Sequence, residues 1–90
     1  MIPGHVPGPL RRYSDGAAEL SVEADAVRTD LAALEAQYPT LYVNVCDETG
    51  AVRRHLNVFV NDDHMRDRDG LDTTLEPGDV VTFLPAVSGG

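Results

Sequence analysis

Val27, Leu31, Leu34 and Tyr38 recur at i, i+4, i+7 and i+11, the spacing of one face of an α-helix running from residue 26 to 38. Asp25 stands where a helix cap is needed, and Pro39, which disfavours helical backbone in the residue before it, predicts the stop. Arg28, Asp30, Glu35 and Gln37 lie off the stripe and are expected to face water. One apolar stripe cannot bury itself, so the rest of the chain must supply a flat apolar face for it.

That face has to come from short strands. Ile2 to Val6 predicts the first, with Pro3 placed where no ladder bond is needed. Tyr13-Ser14-Asp15-Gly16 reads as a turn, and Ala18 to Val22 as a second strand with Leu20 and Val22 on one face, the two strands forming a hairpin with a long loop. Leu41 to Cys46 suits either a strand or an irregular buried connection, and Asp47 to Gly50 a turn. From His55 to Asn61 the chain alternates, with Leu56, Val58 and Val60 on one face and Asn57, Phe59 and Asn61 on the other. Asn61-Asp62-Asp63 turns this strand into a short partner around His64 to Arg66. Glu76-Pro77-Gly78-Asp79 carries the proline and glycine of a type II turn, and Val80 to Val87 is the last strand. The expected fold is α+β: one main helix covering one face of a mixed sheet of four to five strands. Residues 1–90 read as a single domain with a flexible tail at about 86–90.

Ninety residues bury only about 60–65% of their unfolded surface. That favours a binding or carrier module over an enzyme with a deep enclosed site. The formal charge of -8 argues against nucleic acid and anionic membranes, and suits docking on a basic partner. No apolar run approaches a membrane span, and MIPGHVPGPL holds no secretory core. With Cys46 as the only cysteine, a reducing cytoplasm is the expected location. All seven basic residues are arginine, so no lysine is present to form a Schiff base or an isopeptide bond.

Three chemistries find little support. His5, His55, His64 and Cys46 lack the spacings of a structural zinc site, so no metal is expected. Asp67, Asp69, Gly70 and Glu76 occupy the third, fifth, sixth and twelfth positions of a calcium loop, but Met65 fills the first, where a carboxylate is required. Neither a nucleophile elbow nor a phosphate-binding glycine loop occurs.

What remains is the ending LPAVSGG. A pair of glycines without side chains can thread a narrow tunnel and present the carboxylate of Gly90 to an enzyme. A carboxylate becomes electrophilic only when activated, and adenylation by ATP demands close approach from every side. Together with Gly89, Gly90 is the candidate reactive end.

FVNDDHMR (59–66), GLDTTLEPGDVVTFLPAV (70–87), the terminal SGG and the helix segment DLAALEAQYP (30–39) resemble the ThiS/MoaD sulfur carriers, prokaryotic relatives of ubiquitin. The ending LPAV-x-GG and the stretch FVNDD (59–63) are most similar to the CysO-type carriers of cysteine biosynthesis. The resemblance implies a β-grasp, ubiquitin-like fold and a carrier that holds no cofactor. An E1-like enzyme would adenylate Gly90 with ATP, and a persulfide-derived sulfur would displace AMP to leave a thiocarboxylate. The implied acceptor is a cysteine synthase-like enzyme bearing pyridoxal phosphate, or a thiazole synthase-like one, with a metalloprotease to release cysteine. The resemblance also places Val58, Val60, Val81 and Phe83 in the core against Val27, Leu31 and Leu34. Phe59 and Leu84 fall on the open face of the sheet as a docking patch, joined by Pro85, Val87 and Ser88 near the tail. Arg53 and Arg54 could pair with acidic groups of a partner, or simply be solvated. Other receivers of the sulfur remain open: thiamin, molybdopterin (as the small subunit of its synthase) or a natural product. So do a ubiquitin-like modifier joined to lysines and a plain interaction module. The family's first strand is longer and apolar, whereas Pro3 and Gly4 interrupt it here.

Overall fold

A computed structural model of the chain describes residues 1–85; the tail expected at 86–90, which holds Val87, Ser88, Gly89 and Gly90, lies outside the described residues. The chain runs through β1 (Ile2–His5), β2 (Glu19–Val22), α1 (Val27–Gln37), α2 (Pro39–Val45), β3 (Leu56–Val60), β4 (Asp63–His64) and β5 (Val81–Pro85), with short 3-10 turns between. The five strands form one mixed sheet in the order β2-β1-β5-β3-β4. Its centre is the parallel pair β1 and β5; every other neighbouring pair is antiparallel. This is the α+β, β-grasp arrangement, with α1 on one face.

The first strand survives its proline because so little of it is paired on both sides. Pro3 lies opposite Ser21 of β2, while the register with β5 begins only at Gly4↔Val81 and His5↔Thr82. Gly4 is buried where β1 crosses the core: a Cβ there would meet Leu20 Cδ1 at 3.3 Å and Phe83 Cε2 at 3.5 Å. The apparent defect in the strand thus lets β1 lie close against Leu20 and the fully buried Phe83 ring.

The inward positions behave as their periodicity requires. Leu20, Val22, Val27, Leu31, Leu34, Leu56, Val58, Val60, Val81 and Phe83 are all buried in one cluster. The type II turn is present: Gly78 has φ 96°, and Asp79 N–H donates to Glu76 O at 3.0 Å. The loop between β1 and β2 is closed by Asp15 and Gly16 with φ 56° and 84°, and by the buried Ser14, whose Oγ donates to Ala17 O at 2.8 Å.

Four local expectations need correction. Residues 41–46 are mostly helical, neither strand nor irregular, because Pro39 suits the first turn of a helix as well as it ends the previous one. Only Tyr38, at φ -136° and ψ 63°, separates α1 from α2, and Leu41 and Val45 turn one face of α2 into the core. The start of α1 is not capped directly by Asp25. Thr29 Oγ1 reaches back to accept from the N–H groups of Asp25 and Ala26, both at 3.1 Å, and donates to Asp25 Oδ1 at 2.9 Å. The partner of β3 is Asp63–His64, with Met65–Asp67 already in a 3-10 turn. Finally, Asp30 does not face water. It is 2% exposed, because the buried arc of α1 is one position wider than the stripe read from the sequence. Burial pushes its carboxyl up to about 7.

Two predictions come from this packing. Gly4→Val should cost about 2 kcal/mol in urea unfolding, whereas Gly8→Ala, with nothing within 4 Å of the added carbon, should stay within about half a kcal/mol. Asp30 keeps a proton in the folded chain that the unfolded chain loses above its ordinary pKa of 3.8. Stability should therefore fall as pH rises from 3.8 to about 7 and level off above. Asp30→Asn should stabilise the fold by roughly 2 kcal/mol at pH 8, with the gain nearly gone at pH 4, read from urea midpoints at the two pH values.

Candidate functional site

The end of the sheet from which the tail departs is built by β3 and β5. In their antiparallel register Leu56 faces Pro85, Asn57 faces Leu84 and Phe59 faces Thr82. Residues 57, 59, 82 and 84 therefore share the face opposite the helices. Leu84 is 43% exposed there, and Phe59 sits on its diagonal, half-buried. Phe59 and Leu84 stand on the open face as the resemblance implies, and Pro85, half-buried, ends β5 beside them.

β4 adds His64, which from the sequence was a strand residue and a rejected zinc ligand, with no part in the patch. The two-residue turn at Asn61-Asp62 places His64 opposite Phe59, and the rings meet edge to face with centroids 5.2 Å apart. The His64 tautomer follows from its neighbours. Arg66 N–H donates to Nδ1 at 3.0 Å, so Nε2 carries the hydrogen and donates to Asn57 Oδ1 at 3.0 Å. Phe59 is thus shielded on its β4 side, while Leu84 remains the more exposed member of the patch. Period-two alternation across the turn was the signal that could have paired residues 59 and 64.

Asn61 holds the other end of β3 to β5. It occupies the left-handed region at φ 55°, which a short amide tolerates. Its N–H donates to Val80 O at 2.8 Å, its Oδ1 accepts from Val80 N–H at 3.0 Å, and its Nδ2 donates to Asp79 Oδ1 at 3.0 Å. Asp79 Oδ2 in turn accepts from Glu76 N–H, and this bond, with the Asn61 amide, lowers its carboxyl pKa. Asn61 is therefore a clamp that aligns the start of β5.

The candidate metal ligands are scattered. Cys46 is buried, with its thiol pushed up to about 11 by desolvation, which leaves it inert at neutral pH. His5 lies 3.5 Å from Glu19 at the β1–β2 edge, and His64 is occupied as described. Among the described residues no three His, Cys, Asp or Glu side chains converge on one point. The stretch resembling a calcium loop is instead stapled to α1: Val27 N–H donates to Thr73 O, Leu75 N–H donates to Asp25 O, and the Thr73 hydroxyl accepts from Asp69 N–H. No helix among the described residues is long and apolar enough to cross a membrane.

A five-stranded β-grasp sheet presenting a small apolar patch beside its last strand defines the ubiquitin-like class of carrier and modifier domains. Within that class, residues 5–90 match the ThiS family, and the chain belongs to it. It is a homologue of the sulfur carrier protein CysO of Mycobacterium tuberculosis, 36% identical over 87 residues that cover 94% of each chain. The crystal structure of that CysO superposes with a TM-score of 0.87 at 32% identity, covering 97% of this chain and all of the other. A chain of the Amycolatopsis orientalis BexX/CysO complex gives a TM-score of 0.89 at 28% identity over the whole of both chains. Small archaeal modifier protein 3 of Haloferax volcanii is 39% identical over 70 residues, 77% of this chain and 75% of the relative.

If the Asn61 clamp aligns β5, Asn61→Gly should keep the backbone and lose about 1 kcal/mol with its two side-chain bonds. Asn61→Ala should lose about 1 kcal/mol more by forcing a Cβ into the left-handed region. Urea midpoints and faster amide exchange at Val80 would record both effects.

Proposed function

We propose that the chain is a sulfur carrier, a protein co-substrate and not an enzyme, whose reactive group is the carboxylate of Gly90. The carrying observation is the similarity to the sulfur carrier CysO over 94% of the chain, together with the Gly89-Gly90 pair at the fourth and fifth positions after the end of β5. In the reaction the Gly90 carboxylate oxygen attacks the α-phosphorus of ATP on an E1-like enzyme and releases pyrophosphate. The terminal sulfur of a partner's persulfide then attacks the acyl carbon and expels AMP. A second thiol of the partner cleaves the resulting acyl disulfide, leaving a disulfide on the partner and the thiocarboxylate on this chain. That sulfur is the nucleophile offered to an acceptor, by the CysO analogy the aminoacrylate held by a pyridoxal phosphate enzyme, with a metalloprotease freeing cysteine afterwards. ATP and pyridoxal phosphate belong to those partners, and this chain contributes binding and presentation.

The exposed Leu84 and half-buried Phe59 supply the apolar anchor beside the departing tail, with Pro85, Val87 and Ser88 leading to the glycines. Small apolar side chains on a firm sheet suit a partner that must hold the body while the tail enters its site. The Amycolatopsis BexX/CysO complex supports the view that relatives of this chain dock on larger proteins.

Attachment to lysines of other proteins is the second reading, favoured by the likeness to small archaeal modifier protein 3. Intact mass of the chain isolated from its native cell separates the two. A carrier should show one sulfur-for-oxygen exchange, absent after deletion of Gly90 and reduced about tenfold by Leu84→Glu. Denaturation-resistant conjugates with no thiocarboxylate would replace the carrier by the modifier.

A further inference from the structure

A groove of about 530 Å³ opens at the β3–β4 end of the molecule, lined by Arg53, Arg54, Arg66 and His64 over an apolar floor that includes Leu56 and Leu71. Three of the seven basic residues of an acidic chain thus meet in one place. Arg53 stands at the rim: its Nε donates to Val43 O of α2 at 2.9 Å, and it also borders the neighbouring cleft that holds Glu35 and Glu48. Arg54 and Arg66 are therefore the arginines the groove has to itself. Arg54 and Arg66 are exposed, and among the described residues no carboxylate lies within ion-pair distance of either. The one acidic lining residue, Asp47, is turned into its own loop. Its Oδ1 accepts from Thr49 N–H at 2.8 Å and Ala51 N–H at 3.2 Å, with the Thr49 hydroxyl also bonded to it. The groove is therefore left cationic.

Its position matters as much as its charge. Leu56 on the groove floor pairs with Pro85, the last residue of β5, so the arginines stand at the end of the sheet where the chain continues toward Gly90. His64 lines the groove and also packs on Phe59, so the groove adjoins the apolar patch of the open face.

We propose that this arginine groove docks an acidic segment of the enzyme that acts on the carboxyl end, an assignment that rests on the carrier reading above. A protein segment fits better than an extended polyanion. A nucleic acid or an anionic membrane would also meet the fifteen acidic residues of the chain, whereas a partner can place a few carboxylates locally. Arginine forks hold carboxylates in pairs, and the Leu56 and Leu71 floor removes the contact from water, so the groove fixes the orientation of the carrier relative to its tail.

Two measurements test this. In the first, a hexaglutamate peptide is titrated into the purified full chain and followed by amide NMR. Shifts should concentrate at residues 51–56 and 64–71, weaken about tenfold in Arg54→Glu/Arg66→Glu and be retained in Arg54→Lys/Arg66→Lys. Scattered shifts, or an equal response to inorganic phosphate at matched ionic strength, would overturn the groove as a peptide site. In the second, the same variants are expressed in the native cell and weighed intact. The charge-reversed chain should carry the thiocarboxylate about tenfold less often than wild type, with the lysine variant close to wild type. A wild-type level in the charge-reversed chain rejects the groove and leaves the carrier reading standing. Absence of thiocarboxylate from the wild type under sulfur starvation rejects both.

Discussion

The parallel contact between β1 and β5 is the interaction on which the rest of the molecule depends. It joins the first and last described elements of the chain, so the sheet cannot close until nearly the whole sequence is in place. Gly4 and Phe83 meet at this seam: a Cβ at residue 4 would touch the ring at 3.5 Å and press more tightly on Leu20 Cδ1 at 3.3 Å, which leaves little room for a larger side chain. Once β5 lies between β1 and β3, α1 has its apolar bed and the end of β5 has a fixed direction. The tail is therefore carried by a strand at the heart of the sheet, which gives it a rigid point of departure.

Around that strand the molecule divides its work by face. The helix side is almost wholly apolar, with Asp30 as the one buried carboxyl among the described residues and a source of instability at neutral pH. The open side combines a small apolar patch and a histidine held in one tautomer, and His64 also borders a groove at the β4 edge of the sheet that Arg53, Arg54 and Arg66 line. Such an arrangement suits the proposed carrier role: a firm body with exposed features at one end and, in the sequence beyond them, a candidate reactive group without side chains. The net charge of -8 favours encounter with basic surfaces, and the proposed role of the local arginine groove is to favour one orientation among such encounters.

Much of the fold was legible from local pattern. The faces of β3 and α1 follow from periods of two and near four, and the turn at Pro77-Gly78 from the backbone freedom that only glycine gives there. Phe59 and Leu84 could be placed on the open face because their strands alternate. The second helix was not legible, since a run of β-branched and aromatic residues after a proline suits a strand by composition. Packing of Leu41 and Val45 against the core overrides that propensity. Asp30 was misplaced for a related reason: polarity suggests water, but the width of a helix's buried arc is set by what packs against it.

The sequence by itself determined the elements whose signals lie within a dozen residues, together with the inward faces of the strands and the Gly-Gly ending that marks the candidate reactive group. Those are properties of spacing and side-chain chemistry, and they hold whatever the chain packs against. Only the tertiary structure decided that β1 and β5 run parallel at the centre, that His64 folds onto Phe59, and that Arg66 joins Arg53 and Arg54 across a groove beside Pro85. Residues 54 and 66 are brought together by the return of the chain through the β3–β4 hairpin and by the apolar floor beneath them. Such proximity arises from long-range packing, which no local periodicity encodes.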